Sequence, residues 1–105
     1  MTRAMKYVVI GDPDTVLGFG LAGVAGEAVE SPDEAERALD NALNDEAVGV
    51  ILITERTAAA IQAKVDDAIL NRPSPVLVEI PDRRGPLPGR KTLMELIRQA
   101  IGVGV

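Results

Sequence analysis

Residues 47–53 read AVGVILI, an uncharged run rich in β-branched side chains. Such a run is typical of a strand that is covered on both faces within a parallel sheet. Two similar runs are KYVVIG at 6–11 and SPVLVEIP at 74–81, and AGEAV at 25–29 is a weaker candidate. The sequence therefore predicts four strands.

The segments between these runs have helical patterns. SPDE at 31–34 has the spacing of a capping box, with a proline at the first helical position. A third helix is predicted from about residue 57 to about residue 71, and a last one from about residue 91. Each has an apolar stripe: Ala35, Ala38, Leu39, Ala42 and Leu43 in the second helix, Ile61, Val65, Ala68 and Ile69 in the third, and Leu93, Leu96, Ile97, Ala100 and Ile101 in the last. Alternating strands and helices predict an α/β fold with a parallel sheet and right-handed crossovers.

The chain of 105 residues predicts one domain. We expect an α/β core over 1–81, a connecting loop, DRRGPLPGR, over 82–90 and a C-terminal helix and tail over 91–105. The loop is rich in proline, glycine and arginine, which predicts an exposed, irregular connection. Glu79 interrupts the last strand, and an edge position in the sheet is the favoured explanation.

Composition excludes several classes of function. The net charge of −5 disfavours binding to nucleic acid or to anionic lipid. The chain has no cysteine, which excludes thiolate catalysis and disulfides, and no histidine, which removes the commonest general base and zinc ligand. No segment resembles a signal peptide or a membrane span, so we expect a cytoplasmic protein. We also expect no cofactor and no metal.

The stretch GDPDTVLGFGLAGV at 11–24 contains the spacing G-x-G-x-x-G at Gly18, Gly20 and Gly23. In a dinucleotide-binding loop the first glycine ends the strand, so that amide groups and the helix N-terminus meet the pyrophosphate. Here the strand is predicted to end at Gly11, which puts the glycines within or just after the first helix. We expect close packing of a neighbouring backbone at some of these glycines and a helix C-cap at Gly23.

Two aspartates, Asp12 and Asp14, follow the first strand. They would repel a phosphate, and turn and capping chemistry is favoured over metal binding. A receiver domain of two-component signalling also gathers acids at this place, but it needs an aspartate after the third strand and a lysine after a later one. The chain has Thr54 and Glu55 after the third strand, and its three lysines are at 6, 64 and 91.

Four blocks in order carry a resemblance to a family. GDPDTVLGFGLAGV at 11–24, GVILITE at 49–55, PVLVEIP at 75–81 and RQAIG at 98–102 together resemble the F subunit of V-type and A-type ATP synthases. The similarity spans nearly the whole chain from Lys6.

The resemblance implies a four-stranded parallel sheet in the Rossmann-like or flavodoxin-like order 2-1-3-4, helices on both faces and a mobile C-terminal helix. It also implies a central-stalk rotor protein that is not catalytic. Its partners would be the long coiled-coil D subunit of the stalk, transiently the A3B3 head, and indirectly the membrane ring and its adaptor. Such a protein would be peripheral to the membrane and would help couple proton or sodium-ion movement to ATP chemistry.

The residues alone leave two alternatives open, a receiver-like signalling domain and a small α/β module that binds a nucleotide or flavin. No catalytic or cofactor-binding residue is expected under the family interpretation. Candidate partner contacts are the family-motif positions Asp12, Asp14, Gly18, Phe19, Gly20, Gly23, Thr54 and Glu55, and the candidate mobile segment carries Leu93, Leu96, Ile97 and Ile101.

Overall fold

A computed structural model of the chain describes residues 5–86 and residue 88. All four predicted strands are present within this part. In chain order the elements are β1 (Lys6–Gly11), α1 (Pro13–Leu21), β2 (Ala25–Ala28), α2 (Pro32–Leu43), β3 (Val48–Thr54), α3 (Glu55–Ala60), α4 (Gln62–Asn71) and β4 (Val76–Ile80).

The strands form one parallel sheet in the order β2-β1-β3-β4, which confirms the expected topology. The register between β1 and β3 shifts after Lys6, and Gly49 provides the extra residue on β3. Because all strands run the same way, their carboxyl ends meet at one edge of the sheet, which we call the carboxyl edge. The opposite edge is the amino edge.

The helices lie on both faces of the sheet, as expected. On one face, Val9 of β1 and Val16 of α1 flank Gly26 of β2, where an added Cβ would lie 2.8 Å and 2.7 Å from their Cγ1 atoms. On the other face, α2, α3 and α4 pack against Val8, Ile10, Ile51 and Ile53, and this layer holds the main buried core.

Helix α2 begins as its sequence predicts. Ser31 is the N-cap and its hydroxyl accepts a hydrogen bond from the Glu34 amide at 3.2 Å, while the Glu34 carboxylate accepts one from the Glu30 amide at 2.8 Å. Pro32 is the first helical residue. Four residues of the predicted stripe are buried and Leu43 is half-buried: Ala35, Ala38, Leu39 and Ala42 are the buried ones.

The prediction of a single third helix is wrong. The chain forms two helices, α3 and α4, which meet at Ile61, where φ is −132° and ψ is 40°. The first begins at Glu55 because the Thr54 hydroxyl caps it by accepting a hydrogen bond from the Thr57 amide at 3.3 Å. No glycine or proline marks the break. Ala58, Ile61, Val65 and Ala68 are all buried, whereas Ile69, predicted to share their stripe, is 53% exposed.

Strand β4 lies at an edge of the sheet, which confirms the explanation given for Glu79. The Glu79 side chain is half-buried. The last predicted helix, including Leu93, Leu96, Ile97 and Ile101, lies outside the described residues, and so do residues 87, 89 and 90 of the connecting loop.

Candidate functional site

The first turn of α1 is fixed by Asp12. Its carboxylate accepts hydrogen bonds from the Thr15 hydroxyl at 2.7 Å and from the Thr15 amide at 3.1 Å. Partial burial by itself raises the pKa of Asp12, but these hydrogen bonds and the nearby Arg84 charge outweigh it, so the pKa lies below its usual value of 3.8. Asp12 is therefore a helix cap, as the sequence favoured.

The glycine triplet is out of register with a phosphate loop, as predicted. Gly18 and Gly20 lie inside α1, seven or more residues beyond the end of β1 at Gly11. Gly23 follows the helix with a φ of 91°. The Gly23 amide donates to the Gly20 carbonyl, and the Val24 amide donates to the Phe19 carbonyl, each at 3.0 Å. This is a Schellman termination, which confirms the C-cap.

The expectation that a neighbouring backbone lies close to these glycines is wrong for the described residues. A Cβ added at Gly18, Gly20 or Gly23 would meet no described atom within 4 Å. Close approaches occur at Gly11, Gly26 and Gly49 instead. At Gly11 an added Cβ would lie 2.6 Å from the Thr54 Cγ2 atom. The sequence does not indicate where these close contacts lie, because the contacts at Gly11 and Gly26 depend on which strands are neighbours.

Thr54 and Glu55 stand where the third strand meets α3. The Thr54 side chain is 1% exposed and its hydroxyl also hydrogen-bonds to the Thr57 hydroxyl at 2.8 Å. Glu55 is 8% exposed. A receiver domain would need an aspartate at this strand end, so the arrangement gives that alternative no support.

Two ion pairs connect the turn that follows β4 to neighbouring helices. Asp82, whose side chain is 3% exposed, lies with its Oδ2 atom 3.1 Å from Arg56 Nε of α3, and its Oδ1 atom accepts a hydrogen bond from the Arg84 amide at 2.9 Å. The Arg56 Nε–H direction misses hydrogen-bond geometry, so that contact is charge pairing. Arg83 reaches Asp14 of α1 at 3.2 Å, but both side chains are well exposed and this pair is weak. The turn is thus held mainly through Asp82, a role that the sequence did not reveal.

A groove of about 370 Å³ separates α1 from this turn. We call it the α1 groove. Its wall is formed by Asp14, Thr15, Gly18, Phe19 and Ala22, and its end at the carboxyl edge by Pro81, Asp82 and Arg83. Among the residues the structure describes, no cluster of three acidic side chains is arranged to hold a metal ion. Nor is any described helix both long and apolar enough to cross a bilayer.

The outer side of α1 is apolar and exposed. Leu17 is 63% exposed and Leu21 is 84% exposed, and none of the nine residues of the helix is buried. Because they are four residues apart, the two leucines lie one above the other on the helix surface. The inner side of α1 is only half-buried, at Thr15, Val16 and Phe19, so the exposed leucines stand out as an apolar surface. The three nearby glycines pointed to this helix, but the sequence did not show which side would be exposed.

The comparisons with known proteins agree with this fold. The family model described as ATP synthase (F/14-kDa) subunit matches residues 8–97. The F subunit of the A-type ATP synthase of Thermococcus kodakarensis is 47% identical over 105 aligned residues, covering 94% of this chain and 96% of the relative. That of Methanocaldococcus jannaschii is 41% identical over 102 residues, covering 96% of this chain and 99% of the relative.

A solved structure is also similar. The crystal structure of the F subunit of the V-type ATP synthase from Archaeoglobus fulgidus matches with a TM-score of 0.61 and 26% identity, covering 73% of this chain and 98% of that one. The family match, the high identity along almost the whole chain and the shared fold lead to one conclusion: the chain belongs to the family of F subunits of the A-type and V-type ATP synthases.

Proposed function

We propose that the chain is a non-catalytic central-stalk subunit of a rotary ATP synthase or ATPase. In this role it binds the long coiled-coil D subunit and helps couple ATP synthesis or hydrolysis in the A3B3 head to movement of protons or sodium ions. It would be peripheral to the membrane, within the complex. The observation that carries the proposal is the family match over residues 8–97.

The exposed side of α1 is the surface we assign to the coiled-coil D subunit. Leu17 and Leu21 present an apolar strip one helical turn long. Gly20 and Gly23 leave open space around it, so that another helix can approach closely. An apolar strip on one helix fits against the apolar stripe of a second helix, such as one from a coiled coil. The candidate contacts at Gly18, Phe19, Gly20 and Gly23 belong to this same helix and its cap.

The candidate positions at the carboxyl edge contribute less surface to such a contact. Thr54 and Glu55 are buried, and Asp12 is engaged in capping α1. Asp14 remains exposed, but its carboxylate pairs with Arg83. We therefore centre the contact on α1.

The experiment is coexpression with the coiled-coil D subunit that the same organism encodes, followed by copurification and measurement of the complex mass. We expect a complex with one copy of each chain. Failure of the unmodified chain to form that complex would overturn the proposed function.

A matched pair of variants tests the assigned surface. Leu21→Glu puts a charge on α1, whereas Leu70→Glu changes a leucine that is 81% exposed on α4, in the opposite layer. Burying a leucine contributes about 1.5–3 kcal/mol, so we expect Leu21→Glu to weaken the complex about tenfold or more. Leu70→Glu should leave it unchanged. The reverse result would move the contact to another face without affecting the family role.

A further inference from the structure

Strand β2 lies at an edge of the sheet, and its outer side is open. In the described part of the chain β1 is its one hydrogen-bonded neighbour, and all four of its residues are exposed. Of the features that usually protect an edge strand, β2 lacks a lysine, a proline and a bulge, and has a short length and one charge, Glu27. A negative charge opposes pairing with an acidic strand but not with a basic one.

The free main-chain groups of β2 belong to Gly26 and Ala28. The Val29 amide, just after the strand, donates to the Gly11 carbonyl of β1 at 2.9 Å. Successive residues of a strand turn their N–H and C=O groups alternately to its two sides, so those of Gly26 and Ala28 are directed away from β1. No described strand pairs with them. The edge thus offers two donors and two acceptors to another extended chain.

A groove of about 160 Å³ lies beside β2 on the face of the sheet that carries α2. We call it the α2 groove. Its lining includes the buried apolar residues Val8, Ala38 and Ala42 and the acidic residues Glu27 and Asp45. The side chains of a strand added to β2 would alternate between the two faces of the sheet. Every second side chain would therefore lie on the side of this groove.

The chain itself shows that a basic side chain fits the α2 groove. Lys6 also lines it, and the Lys6 Nζ atom is 3.0 Å from Asp45 Oδ2. Glu27, by contrast, forms no ion pair or hydrogen bond with any residue that the structure describes. A second long basic side chain can place its apolar stem on the alanines of the groove and its charge beside Glu27.

The charge around the edge favours the same kind of partner. Residues 25–46, which contain β2 and α2, have eight acidic residues and one basic residue, a net charge of −7, whereas the whole chain has −5. Two of these carboxylates are paired, Asp40 with Lys64 and Asp45 with Lys6. The surplus of negative charge attracts a basic segment and repels an acidic one.

We propose that the outer edge of β2 binds an extended, basic segment of another protein as a fifth strand of the sheet. The segment pairs with the main-chain groups of Gly26 and Ala28 and places a lysine or arginine side chain in the α2 groove beside Glu27. The main-chain hydrogen bonds hold the segment, and the acidic groove selects it. The proposal does not rest on the coiled-coil contact assigned to α1.

Titration of the full-length chain with short peptides, followed by NMR, tests the proposal. The probe is an eight-residue peptide of alternating threonine and lysine, which puts its charges on one side when extended. We expect the largest shifts at the amides of Gly26 and Ala28. The same peptide with glutamate for lysine, or with N-methylated amides that cannot donate, should bind at least tenfold more weakly. At an ionic strength of about 1 M, where the Debye length is about 3 Å, binding should also weaken severalfold.

Variants of the chain separate the groove from the overall charge. Glu27→Lys should weaken binding of the lysine peptide about tenfold. Asp66→Lys makes the same charge change at an exposed position of α4, near the other edge strand, and should leave binding nearly unchanged. Ala28→Pro removes one outward N–H group, keeps the bond from Val29 to Gly11, and should weaken binding severalfold. Circular dichroism checks that each variant is folded.

Four results would overturn the proposal. They are no binding at a peptide concentration of about 1 mM, the largest shifts away from β2, equal binding of the N-methylated peptide, and equal weakening by Glu27→Lys and Asp66→Lys. The last two results would mean that overall charge attracts the peptide without strand pairing or the groove. None of them depends on whether the coiled-coil stalk protein binds, so this proposal and the proposed function can fail separately.

Discussion

Replacement of Gly20 by alanine should stabilise this protein, although Gly20 belongs to a motif that resembles a nucleotide-binding fingerprint. Gly20 lies inside α1 with an ordinary helical backbone, since the positive φ angles among the described glycines are at Gly23 and Gly85. An added Cβ would meet no described atom within 4 Å. The substitution therefore adds helix propensity without a steric cost.

The magnitude follows from the position in the helix. Glycine in a helix interior costs roughly 0.5–1 kcal/mol relative to alanine. Gly20 is one residue from the end of α1, where helix propensity counts less than in the interior, so we expect a gain of about 0.5 kcal/mol in the free energy of unfolding. For a domain of this size that gain raises Tm by about 2–4 °C.

Urea unfolding followed by circular dichroism measures the change, and Gly26→Ala is the control. At Gly26 the new Cβ would lie 2.7 Å from Val16 Cγ1, 2.8 Å from Val9 Cγ1 and 3.2 Å from the Val9 carbonyl oxygen. Such overpacking costs about 1–3 kcal/mol. If Gly20→Ala lowers the free energy of unfolding, or Gly26→Ala raises it, the assigned surroundings of α1 are wrong.

Three further predictions concern caps, pH and the C-terminal segment. Gly23→Ala should lower the free energy of unfolding by about 1 kcal/mol, because φ is 91° there; a neutral result in urea unfolding would contradict the Schellman termination. Asp12→Ala should cost about 1 kcal/mol at pH 7. Since folding lowers the pKa of Asp12, the stabilisation by its carboxylate is present above the unfolded pKa and is lost as the pH falls through the folded pKa. The difference in the free energy of unfolding between the unmodified chain and Asp12→Ala should therefore shrink in acid. A chain that ends after Gly89 should keep the far-ultraviolet circular dichroism spectrum of the core, because the main core lies on the α2–α4 side of the sheet. It should melt at a lower temperature and bind more hydrophobic dye. Loss of the folded core would show that residues 90–105 are indispensable to it.

The sequence predicts local structure well at positions where a residue type has a single structural role. Ser31, Pro32 and Glu34 specify the start of α2 by hydrogen bonding and a fixed φ, without help from the rest of the chain. Asp12 and Gly23 likewise mark the two ends of α1. The continuous apolar runs indicated the strands, because a strand buried on both faces has little room for polar side chains.

The candidate site was less accessible to the same reasoning. The glycine motif indicates the stretch that forms α1, but it predicts close packing at some of its own glycines, whereas the close contacts occur at Gly11, Gly26 and Gly49. The sequence alone does not distinguish a glycine inside a helix from a glycine against which a neighbouring side chain packs. Only the pairing of β1 with both β2 and β3 brings side chains such as Thr54 to the positions that make glycine necessary.

By itself the sequence determined the element types, their caps and the parallel α/β class, since these depend on interactions within a few residues. The tertiary structure decided the break at Ile61, the anchoring of the turn by Asp82 to Arg56 and the exposure of Leu17 and Leu21. The ion pair joins residues far apart in the chain, and the exposure of the two leucines depends on how α1 packs on the sheet. Such features are fixed only when the folded sheet brings the helices and the turn together.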